Sequence, residues 1–481
     1  MINKFFNKEI YGGFLFLFLI SSINSPPSLP SEFNILNFIN FLRGISPIIV
    51  FIFLLFFFFK KKFSLSKNSI FFLIFISSQL VGYFINEDRN FFNIYWIICA
   101  YALVFLIEFY SDNIKSIKLL LFIFLFFIIS VALVVSYAII LEETNKFISD
   151  INYISTIYSS QVLAENTSFL GQSVPRSSGY CRMLLIIFFL LFSLLLIQND
   201  YDSKKIKVIL KKIIFYILLI FIGLILWKTQ NRGTLYFYLI IFLFYLGHTI
   251  YSFKKENLIR IFLIFFTPFI LFSAEVKLKE HLISEAVKTI LEKNLIEENL
   301  YKKNLIEENL YKKNLSEKQL KKLDEFDKSQ IKILKNNNKR WTMPNETSGR
   351  MEIWKKSIPF IKKNLFFGQG PQSDRNLLSK NASNILVYIL LCGGVFCTLF
   401  FFIYLFNLLI QYSRFILKFN IKNFNKDHIL IFTNLCIFFL LFRGLVENSF
   451  SIFGIDMILF LLSVKYIEIF IDSQNKHHRR D

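Results

Sequence analysis

The chain alternates long apolar runs with short polar clusters, and the runs have the length of a bilayer crossing. Leu119 to Leu141 reads LLLFIFLFFIISVALVVSYAIIL without a charge. Ile48 to Phe59, IIVFIFLLFFFF, is shorter but reaches the same length with the residues before it. A run of about 18 or more apolar residues predicts a membrane-spanning helix. About 12 are predicted, beginning near Ile10, Gly44, Ser69, Phe91, Ile117, Arg182, Lys212, Gly233, Leu258, Asn384, His428 and Ser451. Lys4 and Lys8 precede the first, as in a signal peptide. Ser25-Pro26-Pro27 lacks a convincing small-residue cleavage site, so an uncleaved span is expected. The expected fold is all-α: a polytopic inner-membrane protein of about 12 transmembrane helices with a large helical periplasmic loop.

The polar clusters between spans set orientation, because Lys and Arg in short loops stay cytoplasmic. Alternate loops are basic: Lys60-Lys61-Lys62 with Lys67, Lys115 with Lys118, the group from Lys204 to Lys212, Lys254 with Lys255, Arg414 to Lys426, and the tail at Lys476, Arg479 and Arg480. The intervening loops, such as Asn86 to Asn90 and Val446 to Phe450, are poor in Lys and Arg. Both termini are therefore expected in the cytoplasm. The expected organisation is N-terminal spans over 1–141, a first periplasmic loop over 142–181, spans over 182–274, a large periplasmic loop over 275–383, and C-terminal spans over 384–474.

Composition sharpens the class. The 481 residues are 54% hydrophobic and include 63 Phe, against roughly 45–50% apolar in a soluble domain. A soluble enzyme, a secreted disulfide scaffold and a disordered tail are excluded. Five cysteines (Cys99, Cys181, Cys392, Cys397, Cys436) lie in or beside apolar runs without zinc-type spacing, and read as small core residues. The net charge of +21 falls largely in short basic loops and a Lys-rich insertion, and does not predict nucleic-acid binding.

The large loop has two parts. The decapeptide NLIEENLYKK stands at Asn294 to Lys303 and again at Asn304 to Lys313, followed by a degenerate copy; the repeat insertion covers about 294–322. Glu precedes Lys at helical spacing. A period of ten turns the apolar pair about 80° short of its starting face, at about 100° per residue, so a coiled-coil seam is not expected. A solvated helix of variable length is the plainer reading, and a partner-docking arm the sharper one. The second part, over 348–383, predicts an amphipathic helix from Met351 to Lys363 carrying Trp354, Ile358 and Ile361, with Pro359 expected to kink or end it. Gly368-Gln369-Gly370-Pro371 predicts a tight turn with freed backbone N–H groups.

The ordered series Gly349-Arg350, Trp354, Asn364, Gly368-x-Gly370, Ala382-x-Asn384 and Gly393-Gly394 resembles the shared region of the bacterial O-antigen ligase and O-antigen polymerase family. Thr229 to Phe244, with Arg232 and Gly233, is similar to the family's Ser-Arg-Gly at the outer end of a span. Pro175 to Met183 and Phe442 to Phe450 resemble less specific family segments; the likeness covers roughly Gln161 to Phe470. There are two departures. No Pro follows Asn364, and Ser383 stands where the family has His between Ala and Asn. The resemblance assigns that His to proton transfer or substrate positioning. A lone hydroxyl is a poor proton acceptor, so the departure favours a polymerase over a ligase.

The resemblance implies glycan transfer from an undecaprenyl diphosphate carrier to an acceptor hydroxyl at the periplasmic face. Implied partners are that lipid-linked glycan, a glycan or lipid A core acceptor, membrane lipid and other surface-polysaccharide pathway proteins. No cofactor and no metal is expected. Guanidinium groups suit a diphosphate leaving group through paired N–H donors. The expected catalytic residues are Arg232, Arg350, Asp374 and Ser383. The expected substrate-binding residues are Arg176, Arg182, Gly368, Gly370, Arg375, Asn384, Arg443 and Glu447. Each has a plainer reading: Arg232 as an interfacial anchor, Arg350 as a solvated loop charge, Arg176 and Arg182 as topology charges, the glycines as turn formers. Arg443 lies inside an apolar run, where charge usually faces a polar interior. Asp374, Glu352 and Glu447 are the carboxylates in reach of the role of base, and Trp354 reads as a packing residue. A lipid-linked-sugar flippase is the reading from another class; it predicts charges buried mid-span.

Overall fold

The computed structural model describes residues 8–23, 35–86, 91–149, 168–169, 172–173, 177–197, 206–229, 232–252, 255–274, 277–278, 350–378, 381–418 and 427–477. Among them the chain is helical apart from one two-residue antiparallel pair, Ser168 opposite Ser173 and Phe169 opposite Gln172. Ahead of the large loop the described helices include α1 (Lys8–Ile20), α2 (Ile35–Phe59), α3 (Lys67–Ile85), α4 (Phe91–Tyr110), α5 (Ile114–Ser149), α6 (Ser177–Ile197), α7 (Ile206–Thr229), α8 (Arg232–Ser252) and α9 (Lys255–Ile261). A π-helical segment, Phe262–Phe266, continues α9. After the loop come α10 (Arg350–Lys363), α11 (Ser373–Leu378), α12 (Ile385–Lys418), α13 (His428–Gly444) and α14 (Ile455–His477).

Each predicted span overlaps a helix, but not all of these helices qualify as crossings. Seven helices are long and apolar enough to cross a membrane among the described residues, and four further apolar helices are shorter. This is a membrane protein by that measure. α5 runs eight residues past the predicted end at Leu141. The decapeptide repeat lies outside the described residues, as do Arg176 and His281. Of the kink or end expected at Pro359, the end does not occur, and α10 continues to Lys363. Pro359 lies on the exposed side of α10 with Lys355, four residues back, whose carbonyl loses its helical donor there.

Contacts group the chain into two units. The first comprises 1–130, 186–209 and 347–481. In it α3 and α12 run antiparallel, with Phe72 against Tyr404 at 5.4 Å and Phe75 against Phe401 at 5.2 Å. One end of this unit is tied by charge. Glu108 accepts from Lys465 Nζ at 2.8 Å and from Ser66 Oγ at 2.6 Å, and Lys465 also meets Glu468 at 3.4 Å. Asp427 caps α13 through the Ile429 N–H and takes Lys118 Nζ at 3.2 Å and the Tyr466 hydroxyl at 2.7 Å.

The second unit comprises 131–185 and 210–346. Pro268 has no N–H for the Ile264 carbonyl four residues back. The Tyr238 hydroxyl donates to that carbonyl at 2.9 Å instead. Trp227 packs on Phe269 with ring centroids 4.9 Å apart.

The organising feature of the first unit is a break in α12. Gly394 has φ +63, so the helix cannot continue through it. The break separates two helical pairings, Leu391 carbonyl with Val395 N–H and Cys392 carbonyl with Phe396 N–H. The turn after α10 takes up all four groups. Gln369 and Gly370 N–H donate to the Leu391 and Cys392 carbonyls at 2.8 and 2.7 Å. Val395 and Phe396 N–H donate to the Leu365 and Phe366 carbonyls at 2.9 and 3.1 Å. A Cβ at Gly394 would stand 2.5 Å from the Leu365 and Phe366 backbone. Gly394→Ala is therefore expected to cost more than about 1–2 kcal/mol, the left-handed penalty alone. Gly454→Ala, whose added Cβ meets nothing within 4 Å, should change stability little. Thermal unfolding in detergent compares the two, and equal melting temperatures would contradict this account.

Candidate functional site

The laced turn fixes where the motif residues meet, all within the first unit. Gly368 (φ +68) and Gly370 (φ +95) let the turn approach closely. A Cβ at Gly368 would lie 2.5 Å from the Cys392 carbonyl carbon, and one at Gly370 would lie 3.0 Å from Tyr83 Cα. Gly82 of α3 gives the complementary room, its hypothetical Cβ 2.5 Å from the Phe367 carbonyl. Gly368 N–H donates to the Asn364 carbonyl at 2.9 Å. With Gln369 and Gly370 already committed to α12, the turn's amides are engaged within the protein. The glycines serve packing here, and the Gly368, Gln369 and Gly370 N–H groups all have backbone acceptors.

α11 follows and carries Asp374, which is fully buried. Its Oδ2 accepts from the Ala382 N–H at 3.0 Å and from Asn448 Nδ2 at 3.2 Å. Burial pushes this carboxyl above the usual carboxylate range, against the opposing pull of the Ala382 N–H, Arg375 and Asn448. The Ala382 carbonyl in turn accepts from Trp354 Nε1 of α10 at 2.9 Å. Asn384 caps α12: its Oδ1 accepts from the Leu386 and Val387 N–H groups at 2.8 and 3.0 Å. Its Nδ2 donates to the Leu445 carbonyl at 2.7 Å.

These ties bring the end of α13 beside the start of α10. Arg350, the first residue of α10, places Nη2 3.2 Å from Glu447 Oε1. Both side chains stay partly open, 34% and 24% exposed. Glu447 is itself fixed by its N–H on the Arg443 carbonyl at 2.8 Å. Arg443 turns inward to Asp456 of α14 at 3.1 Å, both nearly buried. Arg375 is exposed, and Ser383 sits at φ +53 with its hydroxyl on the Asn381 carbonyl at 3.2 Å.

The structure thus gathers Arg350, Asp374, Asn384, Arg443 and Glu447 round one cluster, with Ser383 at its rim. It changes two expected roles. Asp374 has no exposed surface from which to take a proton from an acceptor, so it is a positioning group that pins Ala382 to Asn448. Arg443 pairs with Asp456, both side chains nearly buried, in place of the open position a ligand-binding role implies. Arg182 and Arg232 lie in the second unit; Arg232 opens α8, and Arg176 lies outside the described residues. Sequence reading missed Asn448, Asp456 and Gly82. Asn448 stands in the VENSF segment beside Glu447, which was its one signal. Among the described residues no three His, Cys, Asp or Glu converge to hold a metal. All five cysteines are buried.

Asp374→Ala leaves the Ala382 and Asn448 donors without an acceptor and is expected to cost about 1–3 kcal/mol. Asp374→Asn keeps an acceptor and removes the ionisation. Because the native carboxyl is raised, its stabilising effect is complete below the ordinary Asp value near ~3.9 and fades as pH rises through its native value. Stability of the native chain should therefore fall relative to Asp374→Asn as pH rises from acid towards neutral. Melting curves in detergent across that range check both statements, and identical behaviour of the Asn and Ala variants would refute the assignment. Comparison of the chain with protein-family models, with curated proteins and with solved structures finds no match.

Proposed function

We propose that this chain is a membrane glycan transferase that takes its donor as a polyprenyl-diphosphate-linked glycan and acts as a polymerase in surface-polysaccharide synthesis. The observation that carries this reading is the Arg350–Glu447 pair. It joins residues 97 positions apart, remains partly open, and rests on the buried Asp374–Ala382 tie, the half-buried Ala382–Trp354 tie and the exposed Asn384–Leu445 tie. A guanidinium and a carboxylate held side by side suit a reaction that sheds an anionic leaving group and frees a proton.

In this reading the acceptor hydroxyl oxygen forms a bond to the anomeric carbon of the donor sugar. The bond from that carbon to the diphosphate oxygen breaks, and its electron pair leaves with the lipid diphosphate. Arg350 holds the diphosphate oxygens as charge builds on them. Glu447 takes the hydroxyl proton. Ser383, engaged on the Asn381 carbonyl, is a turn residue and not the base. The role of Arg232 rests on its Asn-Arg-Gly context. The chain is proposed to lie in the bacterial inner membrane with both termini cytoplasmic and this site periplasmic. Ligation to lipid A core is the sibling reaction at the same pair.

A transporter reading predicts charges buried mid-span, whereas the Glu108–Lys465–Glu468 cluster lies at the end of α4 and the start of α3. Purified chain in liposomes that moves lipid-linked repeat units without consuming them would establish it.

Arg350→Ala and Glu447→Gln are each expected to lower release of undecaprenyl diphosphate from lipid-linked repeat units by about 100–1000-fold, the scale of losing one charge-stabilising group. Arg232→Ala, tested separately, should also abolish long-chain surface glycan in cells with the protein still in the membrane. Normal glycan length in the Arg350 and Glu447 variants would sink the proposal.

A further inference from the structure

The turn after α10 sits surprisingly far along two helices that qualify as membrane spans. Leu365 and Phe366 bond to Val395 and Phe396 of α12. Val395 lies ten residues into that helix, roughly 15 Å from its start. A second gauge agrees. Phe396 lines a cavity of about 450 Å³ together with Ser77 and Ser78 of α3. Ser78 is about two turns, roughly 10 Å, from the end of α3 at Ile85. α3 is 19 residues long, just enough to cross a hydrocarbon core of about 30 Å. Phe367 and Gly368 lie against Gly82 and Asn86 near the end of α3, and Leu365 and Phe366 reach further in, to Val395 and Phe396 of α12.

At that level the side chains are apolar and uncovered. Leu365, Phe366 and Phe367 are exposed, Phe366 at 68%. Phe367 packs on Phe396 of α12, ring centroids 6.0 Å apart, so the patch continues the exposed apolar surface of a span. Met351 and Ile358 precede Leu365 at intervals of seven and are exposed too, extending one stripe along α10. The polar backbone of the turn is meanwhile satisfied by α12, which is the condition for irregular backbone at membrane depth. Lys362 and Lys363 stand one turn earlier, where four-carbon stems carry their charge towards headgroups.

We propose that the segment 364–371 is a re-entrant turn seated in the bilayer, with Leu365, Phe366 and Phe367 against lipid acyl chains. α10 descends into the interface ahead of it, and the Arg350–Glu447 pair stands above it at headgroup level. The partner of this surface is the hydrocarbon of the membrane leaflet, not a protein. This inference does not depend on the glycan-transfer reading, and its test involves no sugar.

The five native cysteines are buried, so single introduced cysteines direct a nitroxide label on the full-length chain in phospholipid vesicles. Phe366→Cys is compared with Phe402→Cys, an exposed position of α12, and with Lys356→Cys, an exposed position of α10. Collision with oxygen reports hydrocarbon, and collision with a water-soluble nickel chelate reports water. Phe366→Cys is expected to match Phe402→Cys, rich in oxygen collisions and poor in chelate collisions, with Lys356→Cys the reverse. Chelate access at 366 equal to that at 356 would mean a water-filled vestibule and overturn the proposal. Low access to both probes would mean a covering protein surface and overturn it as well. Leu365→Cys gives the same reading if Phe366→Cys does not fold.

Discussion

Everything in the first unit depends on one requirement: backbone polar groups in apolar surroundings must have partners. α12 violates continuity at Gly394, where φ +63 frees two carbonyls and two N–H groups. A loop from the preceding segment supplies the complementary set, carbonyls from Leu365 and Phe366 and N–H groups from Gln369 and Gly370. Neither part is stable alone. Without the turn, α12 carries unpaired groups among phenylalanines. Without the break, the turn has no donors or acceptors to meet. The two therefore fold as one element, and the cost of a kink becomes the means of anchoring a loop to a span.

That anchor propagates outward to the candidate site through short links. Ser373 Oγ reaches Cys392 Sγ at 3.3 Å, just before the break, so the start of α11 is tied to α12. Asp374, next in sequence, then fixes Ala382 and Asn448. Ala382 fixes Trp354, and Asn384 fixes Leu445. Arg350 lies one helical turn before Trp354, and Glu447 lies two residues after Leu445. The pair at 3.2 Å is thus the end of a chain of constraints that starts at Gly394. Second-layer groups of this kind hold reactive ones to the tolerance that chemistry needs. The glycines do not contact a ligand in this scheme, yet the site depends on them.

Hydropathy made the helices legible, because a bilayer-length run of Phe, Leu and Ile has few other uses. The boundaries slipped where polar residues continue a helix, as at the end of α5, since hydropathy marks the apolar core and not the last hydrogen bond. Pro359 misled for a similar reason: a missing N–H ends a buried helix more readily than an exposed one. Gly393-Gly394 stood in the motif series, but a glycine pair does not announce which partner will fill its break. The pairing of Arg350 with Glu447, or Asp374 with Asn448, was not readable either. Residues 97 and 74 positions apart meet only through helix packing, which leaves no local pattern. Asp456 was missed because a lone carboxylate at a helix start looks like an ordinary first-turn charge.

Burial, more than position in the motif, divides the labour among the acidic residues. Asp374 is sealed, so burial disfavours its charge, and its Oδ2 acts as a fixed acceptor for Ala382 and Asn448. Asp456 is nearly sealed against Arg443, so the two cancel and leave a neutral tie between α13 and α14. Asp427, at the other end of α13, is less deeply buried. Burial opposes its charge, but Tyr466, Lys118 and the Ile429 N–H outweigh it and hold the carboxyl below its ordinary range. Glu447 keeps open surface beside a partly open guanidinium, much as Asp427 does beside Lys118. An ion pair in that setting gains little stability, because solvent screens it and two side chains are ordered to make it. Stability therefore gives little reason for either open pair, and what sets Arg350–Glu447 apart is its place at the end of the ties that run from Gly394 through Asp374 and Asn384.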